Sequence, residues 1–354
     1  MNALPLVFLL ATAAVSPTAG FVHSFVAADS LIRPGETHFA HLWQVTNGGE
    51  NAEAYWSPDG KALTMQATRD GYACDQIFVV RAGRGKPEWK LVSTGKGRTT
   101  CSYFLGGNDE ILFSSTHEAS DSCPPPPDRS RGYTWAVYPT YDIYVRTLST
   151  GKLRKLDGTP GYDAESTVSP DGKTIIFTST RDGDLELYTM SADGSNVRRL
   201  TDAVGYDGGA FFSPDGQLIC YRANHPRDDA DVADYRDLLN HHLVRPTQMD
   251  IHLMKPDGTK LGQVTDLDAA SFAPYFTPDS KKIIFASNHE DPKGRDFNLY
   301  ITPFDGGMPA RVTTDPTFDG FPMFSPDGHY LAFSSNRGAA KPCDTNVFIA
   351  EWKE

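Results

Sequence analysis

Arg69, His117, Arg181, His225, His289 and Arg337 fall at equivalent positions of a repeating pattern. Ahead of them in the same pattern stand Asn51, Glu53, Asp163, Glu165, Asp207 and Asp319. Carboxylates, imidazoles and guanidinium groups that converge can bind a metal, a peptide terminus or a polar sugar, because each needs convergent charge and not an apolar slot. Neutral imidazoles of His117, His225 and His289 are candidate transition-metal ligands. The oxygens of Asp163, Glu165 and Asp207 suit Ca2+. The competing reading is structural: Arg and Asp in adjacent turns pair and hold neighbouring repeats together. Tyr133, Trp135, Tyr162 and Tyr206 are the aromatic residues placed to stack on a ligand.

Motifs for covalent chemistry are missing from the sequence. It has no Gly-x-Ser-x-Gly elbow, no His-Glu-x-x-His helix and no phosphate-cradling Gly-x-x-x-x-Gly-Lys-Ser/Thr. Gly83-Arg84-Gly85-Lys86 is a Gly-rich turn without the rest of a P-loop. Binding is therefore favoured over catalysis.

The elements that must position these residues are written in turn signals. Ser57-Pro58-Asp59-Gly60, Ser169-Pro170-Asp171-Gly172, Ser213-Pro214-Asp215-Gly216 and Ser325-Pro326-Asp327-Gly328 are near-copies, with degenerate versions at Thr277-Pro278-Asp279-Ser280 and Leu105-Gly106-Gly107-Asn108. The shortest spacing, from 169 to 213, is about 44 residues, the length of one four-stranded propeller blade. Within one copy, a strand ends at Pro170-Asp171-Gly172, Lys173 to Thr180 alternates as a second, Leu185 to Met190 forms a third and Val197 to Thr201 a fourth. Trp56, Phe104, Phe212, Phe276 and Phe324 precede the turn signals and read as core between sheets. Six copies predict an all-β, six-bladed β-propeller of four-stranded blades, running from residue 36 to 354. The last copy stops after its third strand at Asn346 to Trp352, and His38 to Thr46 reads as a fourth strand without a blade. The N-terminal strand is therefore expected to complete the last blade and close the ring, removing exposed edges.

Two copies are stretched to a spacing of about 64 by inserts between their second and third strands, at 117–140 and 224–248. The second insert carries Val232, Tyr235, Leu238, Leu239 and Leu243 at helical spacing, with Asp231 as the expected cap and Pro246 as the stop. Both inserts should decorate the mouth opposite the Ser-Pro-Asp-Gly turns, where loops of such length serve as binding loops or lids.

The Ser-Pro-Asp-Gly turns, the Thr68-Arg69-Asp70-Gly71 and Thr180-Arg181-Asp182-Gly183 turns, and strand endings such as Leu200-Thr201 together resemble the TolB-like propeller repeat. The resemblance covers nearly the whole chain after its first residues and implies the fold. It implies no one activity, since propellers host many. The N-terminal α/β domain of TolB has no counterpart in this sequence, so a role in the Tol system is not implied. A comparable propeller gates the prolyl-peptidase families, whose hydrolase domain is likewise missing here.

Residues 1–20 lack charge and hold an apolar run from Leu6 to Val15, ended by Ser16-Pro17, which reads as a secretory signal peptide cut near 19 to 21. Residues 21–35 follow as an N-terminal extension. The run is too short to span a bilayer. The net charge of −12 and the lack of a Lys/Arg run argue against nucleic acid as a partner and favour cationic ligands or metal ions. Of five cysteines, Cys220 reads as a buried thiol in a strand, and Cys74 with Cys101 is the preferred disulfide among the pairings the other four allow. The expectation is a periplasmic or secreted binding or scaffold protein, recognising a protein segment or polar glycan at the insert-bearing mouth. The alternatives are a metal-assisted lyase or hydrolase acting on an acidic sugar, or a non-catalytic partner subunit of a peptidase.

Overall fold

The computed structural model describes residues 16–305 and 307–354. Five four-stranded antiparallel sheets succeed one another along the chain and a sixth, of five strands, joins its two ends. Their innermost strands, called a, are Asn51–Trp56, Thr99–Phe104, Asp163–Val168, Tyr206–Phe212, Ser271–Phe276 and Asp319–Phe324. Strands b, c and d follow outward in blades 1 to 5, so the sequence repeat and the blade coincide.

The repeated turn has a physical lock. Ser57 Oγ donates to Asp59 Oδ1 at 2.7 Å and accepts from Ala62 N at 3.0 Å, while Gly60 takes a φ of 67°. Ser169, Ser213, Thr277 and Ser325 donate in the same way to Asp171, Asp215, Asp279 and Asp327. Pro fixes the entry to the turn and Gly supplies its left-handed residue. In Leu105-Gly106-Gly107-Asn108 the Ser–Asp lock is lost, yet Leu105 N still bonds to Glu110 O at 3.0 Å with Gly106 at a φ of 63°. Trp56, Phe104, Phe212, Phe276 and Phe324 are all buried. Trp56 also donates its indole N–H to Met323 O in blade 6, at 3.2 Å.

Blade 6 consists of Asp319–Phe324, Tyr330–Ser335 and Asn346–Trp352. Phe39–Gln44 pairs antiparallel with Asn346–Trp352, with Trp43 opposite Ile349, and Val26–Ala27 adds a short outer strand. Thr345 N bonds to Gly49 O and Asn51 N to Thr345 O, so blades 6 and 1 also meet through backbone bonds close to the channel.

Ahead of that strand, Pro17–Val22 is a helix whose N-cap, Ser16, accepts from Ala19 N. Phe21 and Val22 are buried, and the Phe21 ring lies edge-on to Trp56 at 5.8 Å. The expected cleavage at 19 to 21 would divide this docked helix; residues 1–15 of that segment lie outside the described residues. Among the described residues no helix is long and apolar enough to cross a membrane.

Candidate functional site

Every strand a breaks its register with strand b at the same place. The residue at each break has a left-handed φ: Glu53, Cys101, Glu165, Gly209, Ala273 and Phe321, between 50° and 58°. For a residue with a Cβ this conformation costs about 1–2 kcal/mol, so five of the six blades hold local strain at one level of the channel. A β-bulge re-aims a side chain, and here all six bulge residues line one central constriction.

Above the constriction lies a cavity of about 340 Å³. Its charged lining consists of Glu53, Glu165 and Arg222, and its walls include Trp135, Tyr162, Tyr206, Phe272, Phe318 and Phe321. The inserts roof it. Trp135–Ala136 of the blade 2 insert pairs with Leu243–Val244 of the blade 4 insert, forming a two-stranded ribbon across blade 3. Arg245 holds the ribbon by donating to Arg131 O at 3.0 Å and to Asp234 at 3.1 Å, and Arg131 pairs with Asp237. The helix Asp229–Asn240 packs behind it, with buried Tyr235 and Leu238. Its cap is Asp228 and not Asp231: Asp228 Oδ1 accepts from both Ala230 N and Asp231 N. The helix ends at Asn240, so Leu243 belongs to the ribbon and not to the helix.

Cys74, in the b-to-c loop of blade 1, forms a disulfide with Cys123 and ties down the blade 2 insert. The expected Cys74–Cys101 pairing is thereby corrected. Cys101 is a bulge residue facing the channel, whereas Cys74 lies beside the insert that carries Cys123. Cys101, Cys220 and Cys343 are free thiols, and Cys220 is buried as its strand pattern implies.

Arg222, from strand b of blade 4, crosses to blade 3. Its Nη2 lies 2.5 Å from Glu165 Oε1 and 2.6 Å from Tyr206 Oη. Glu165 also accepts from Tyr206 Oη, Thr178 Oγ1 at 2.8 Å and Gly209 N at 2.9 Å. The Trp135 ring covers the guanidinium at 5.2 Å. Two glycines make the room. A Cβ on Gly208 would stand 2.4 Å from Glu165 Oε2, and one on Gly209 2.6 Å from Arg222 Nη1.

Glu53 has a different environment. Protein surrounds it so closely that loss of hydration pushes its carboxyl up to about 7; the Cys101 thiol and Arg222 oppose this, while Glu165 and Asp75 add to it. The same burial raises the Cys101 thiol well above its usual range, so it is not an activated nucleophile.

The predicted ring therefore divides in two. Glu53, Glu165, Tyr133, Trp135, Tyr162 and Tyr206 all line the cavity. The Arg/His ring does not. Arg181 pairs with Asp163 at 3.0 Å, His225 with Asp207 at 3.1 Å, and Arg337 with Asp319 at 3.1 Å, each tying a b-to-c turn to strand a of its own blade; Arg181 also reaches Asp157, in the link from blade 2, at 2.6 Å. Arg69 lies 3.9 Å over the Trp89 ring. His117 and His289 rest on Tyr144 and Tyr300, with centroids 4.4 and 4.3 Å apart. His117, His225 and His289 thus each serve their own blade. Among the described residues no group of three or more His, Cys, Asp or Glu is arranged to hold a metal. Asn51 is also structural, donating to Thr345 O at 2.8 Å. Arg222 escaped sequence reasoning, although an Arg in the strand Ile219–Asn224 facing Gly208-Gly209 was the available signal.

Residues 133–236 match the family model of the TolB beta propeller domain. No curated protein matches the sequence. Similar solved structures include TolB from Acinetobacter baumannii, at a TM-score of 0.52 and 19% identity over 86% of this chain and 65% of that one. The putative TolB from Agrobacterium tumefaciens gives 0.53 and 20%, over 86% and 91%. An oligogalacturonate lyase in complex with manganese gives 0.51 and 15%, over 93% and 96%. This chain thus spans just under two thirds of the length of the Acinetobacter TolB, and at these identities the likeness is one of fold. Its turn repeats and six blades make the chain a six-bladed β-propeller, and residues 133–236 of it match the TolB beta propeller domain model.

Proposed function

We propose that this chain is an exported binding module that receives a protein segment at the insert-bearing mouth. The observation that carries the reading is the roofed cavity: inserts from blades 2 and 4 pair over the channel and cover about 340 Å³ lined by seven aromatic residues, with charges at its floor. Such a chamber suits a side chain or chain end presented by a partner. No nucleophile with an activating base stands in it, since Cys101 is held as a neutral thiol.

The test exchanges the roof. Wild-type protein and a variant with 117–140 and 224–248 replaced by short turns are used to capture partners from an extract of the exported protein fraction. A partner that survives substitution at the far mouth (Pro58→Ser) but is lost with the roof supports the reading. A folded roofless variant that captures the same partners would reject it.

The fold likeness to the oligogalacturonate lyase, over 96% of that chain, keeps a metal-assisted lyase acting on an acidic sugar as the second reading. The side chains favour it less: Arg222, the cavity's guanidinium, is already bonded to Glu165 and Tyr206, and the three histidines stand apart. Release of unsaturated product from oligogalacturonate, lost on joint replacement of His117, His225 and His289, would establish it.

A further inference from the structure

We infer that the roofed cavity is a receptor for an alkylammonium group, a lysine side chain or a chain's α-amino end. This deepens, and rests on, the protein-segment reading above.

The argument is one of charge and wall. Three ionisable side chains of formal charge line the cavity, Glu53, Glu165 and Arg222. Arg222 is matched by Glu165, which accepts its Nη2 at 2.5 Å. One carboxylate is left over. Glu53 lines both the cavity and the constriction beneath it, where the Cys101 thiol, a weak donor, lowers its carboxyl against the rise from burial. A half-buried carboxylate held against protein without a cation is costly, and a ligand that supplies one recovers that cost on binding.

The wall points the same way. Trp135, Phe272, Phe318 and Phe321 present ring faces or edges to the cavity above Glu53. Aromatic faces attract an ammonium through their quadrupole, the more strongly when water is excluded. The roof already shows this preference: the Arg222 guanidinium lies 5.2 Å from the Trp135 ring, and Arg295 lies 5.8 Å from Tyr133. An anionic ligand would meet a net formal charge of −1 and a guanidinium already paired. A neutral sugar would find Thr100 already donating to Gln66 and the Tyr206 hydroxyl already bonded to Glu165 and Arg222.

The charged and titratable groups facing Glu53 are Tyr55 and Asp75 on blade 1, Cys101 on blade 2, Glu165 on blade 3 and Arg222 on blade 4. Protonation of Glu53 removes the charge that the ammonium needs. Affinity should therefore fall as pH is lowered through about 7.

Calorimetric titration of the full chain tests this with four probes: Nα-acetyl-lysine amide, the same compound acetylated at Nε, triglycine amide, and N-acetyl-triglycine amide. The expected result is that one free amine binds and its acetylated counterpart binds at least tenfold more weakly. The first pair reports a lysine site and the second a chain end. Glu53→Gln should weaken the amine at least tenfold and flatten the pH dependence. Trp135→Leu, which lies in the roof and leaves the blades intact, should weaken it severalfold. Equal binding of free and acetylated probes, or full affinity in Glu53→Gln, overturns the inference. A partner captured through the roof yet indifferent to Glu53→Gln and to its own acetylation would leave the protein-segment reading standing and this one rejected.

Discussion

Arg222 in blade 4 and Glu165 in blade 3 meet at 2.5 Å across a blade boundary, with each side chain about 10% exposed. Removing one partner of a buried pair leaves the other charge unpaired, at a cost of about 3–5 kcal/mol. Arg222→Met or Glu165→Met should each destabilise by that order in urea unfolding. The double Met variant should lose much less than the sum, because neither charge remains. Additive losses would show that the two groups do not act as a pair.

The glycines beside the pair give an independent check. Gly209 has a φ of 57° and a hypothetical Cβ 2.6 Å from Arg222 Nη1. Gly209→Ala should cost about 1–2 kcal/mol for the backbone alone, as for any left-handed residue with a Cβ, and more if Arg222 is displaced. Gly71→Ala, at a φ of 82° with open space around it, isolates the backbone cost. If both variants lose the same stability, Gly209 is not making room for Arg222.

Glu53 sets a pH dependence whose sign follows from its raised carboxyl, about 7 against an ordinary 4.5. The folded state holds this proton more tightly than the unfolded chain does. Its contribution to stability is therefore complete below about 4.5 and is lost as pH rises through about 7. Asp319, pushed up to about 6 by burial against the pull of Arg337, adds a step of the same sign at lower pH. Melting temperatures of wild type and Glu53→Gln between pH 5 and 8 should diverge, with the variant keeping more stability at the alkaline end. Parallel curves would refute the assignment.

What the sequence showed and what it hid have separate physical causes. Turn chemistry is local, so the recurring Ser-Pro-Asp-Gly signals, and the two intervals stretched between them, were enough to place blades, their register and the mouth bearing both inserts. Tyr133, Trp135, Tyr162 and Tyr206 followed from that placement, since loop and strand-start positions fix which end they occupy. The bulge was not legible, because nothing local marks Glu53 or Cys101 as left-handed; the conformation belongs to the packing of six inner strands around one axis. The Arg/His positions stand away from the cavity for a related reason, which the structural reading of the repeat anticipates. Repeats copy structural pairs, and Arg181–Asp163 and Arg337–Asp319 are such pairs. Arg222 breaks the pattern in one blade alone, which is what a blade-specific site looks like.

The Cys74–Cys123 disulfide encloses 49 residues of separation and joins the blade 2 insert to blade 1. A loop of this size is worth about 2–4 kcal/mol of stability in an oxidising compartment. Here most of that should act on the roof. Cys123→Ser should leave the six blades cooperative, yet raise amide exchange across residues 117–140 and weaken whatever the cavity binds. Hydrogen exchange confined to global unfolding, with no selective change in the insert, would count against the disulfide as a roof anchor.

Arg337 brings the N-terminal segment into the same argument. Its guanidinium is fully buried between Asp319, of its own blade, and Glu36, which precedes the strand Phe39–Gln44. Glu36 accepts from Arg337 Nη2 at 2.9 Å and also from Thr314 N at 3.1 Å, so it fastens this segment to the blade 5 to blade 6 junction. Deleting 36–46 would strip Asn346–Trp352 of its neighbouring strand and leave Arg337 with one carboxylate instead of two. An exposed strand edge favours pairing between chains. The deletion should therefore yield a product that aggregates or unfolds early, while Glu36→Gln, which keeps the strand, should lose stability without associating. Size-exclusion chromatography and thermal unfolding separate the two effects. A monomeric, fully cooperative deletion variant would mean that the N-terminal strand does not close the ring.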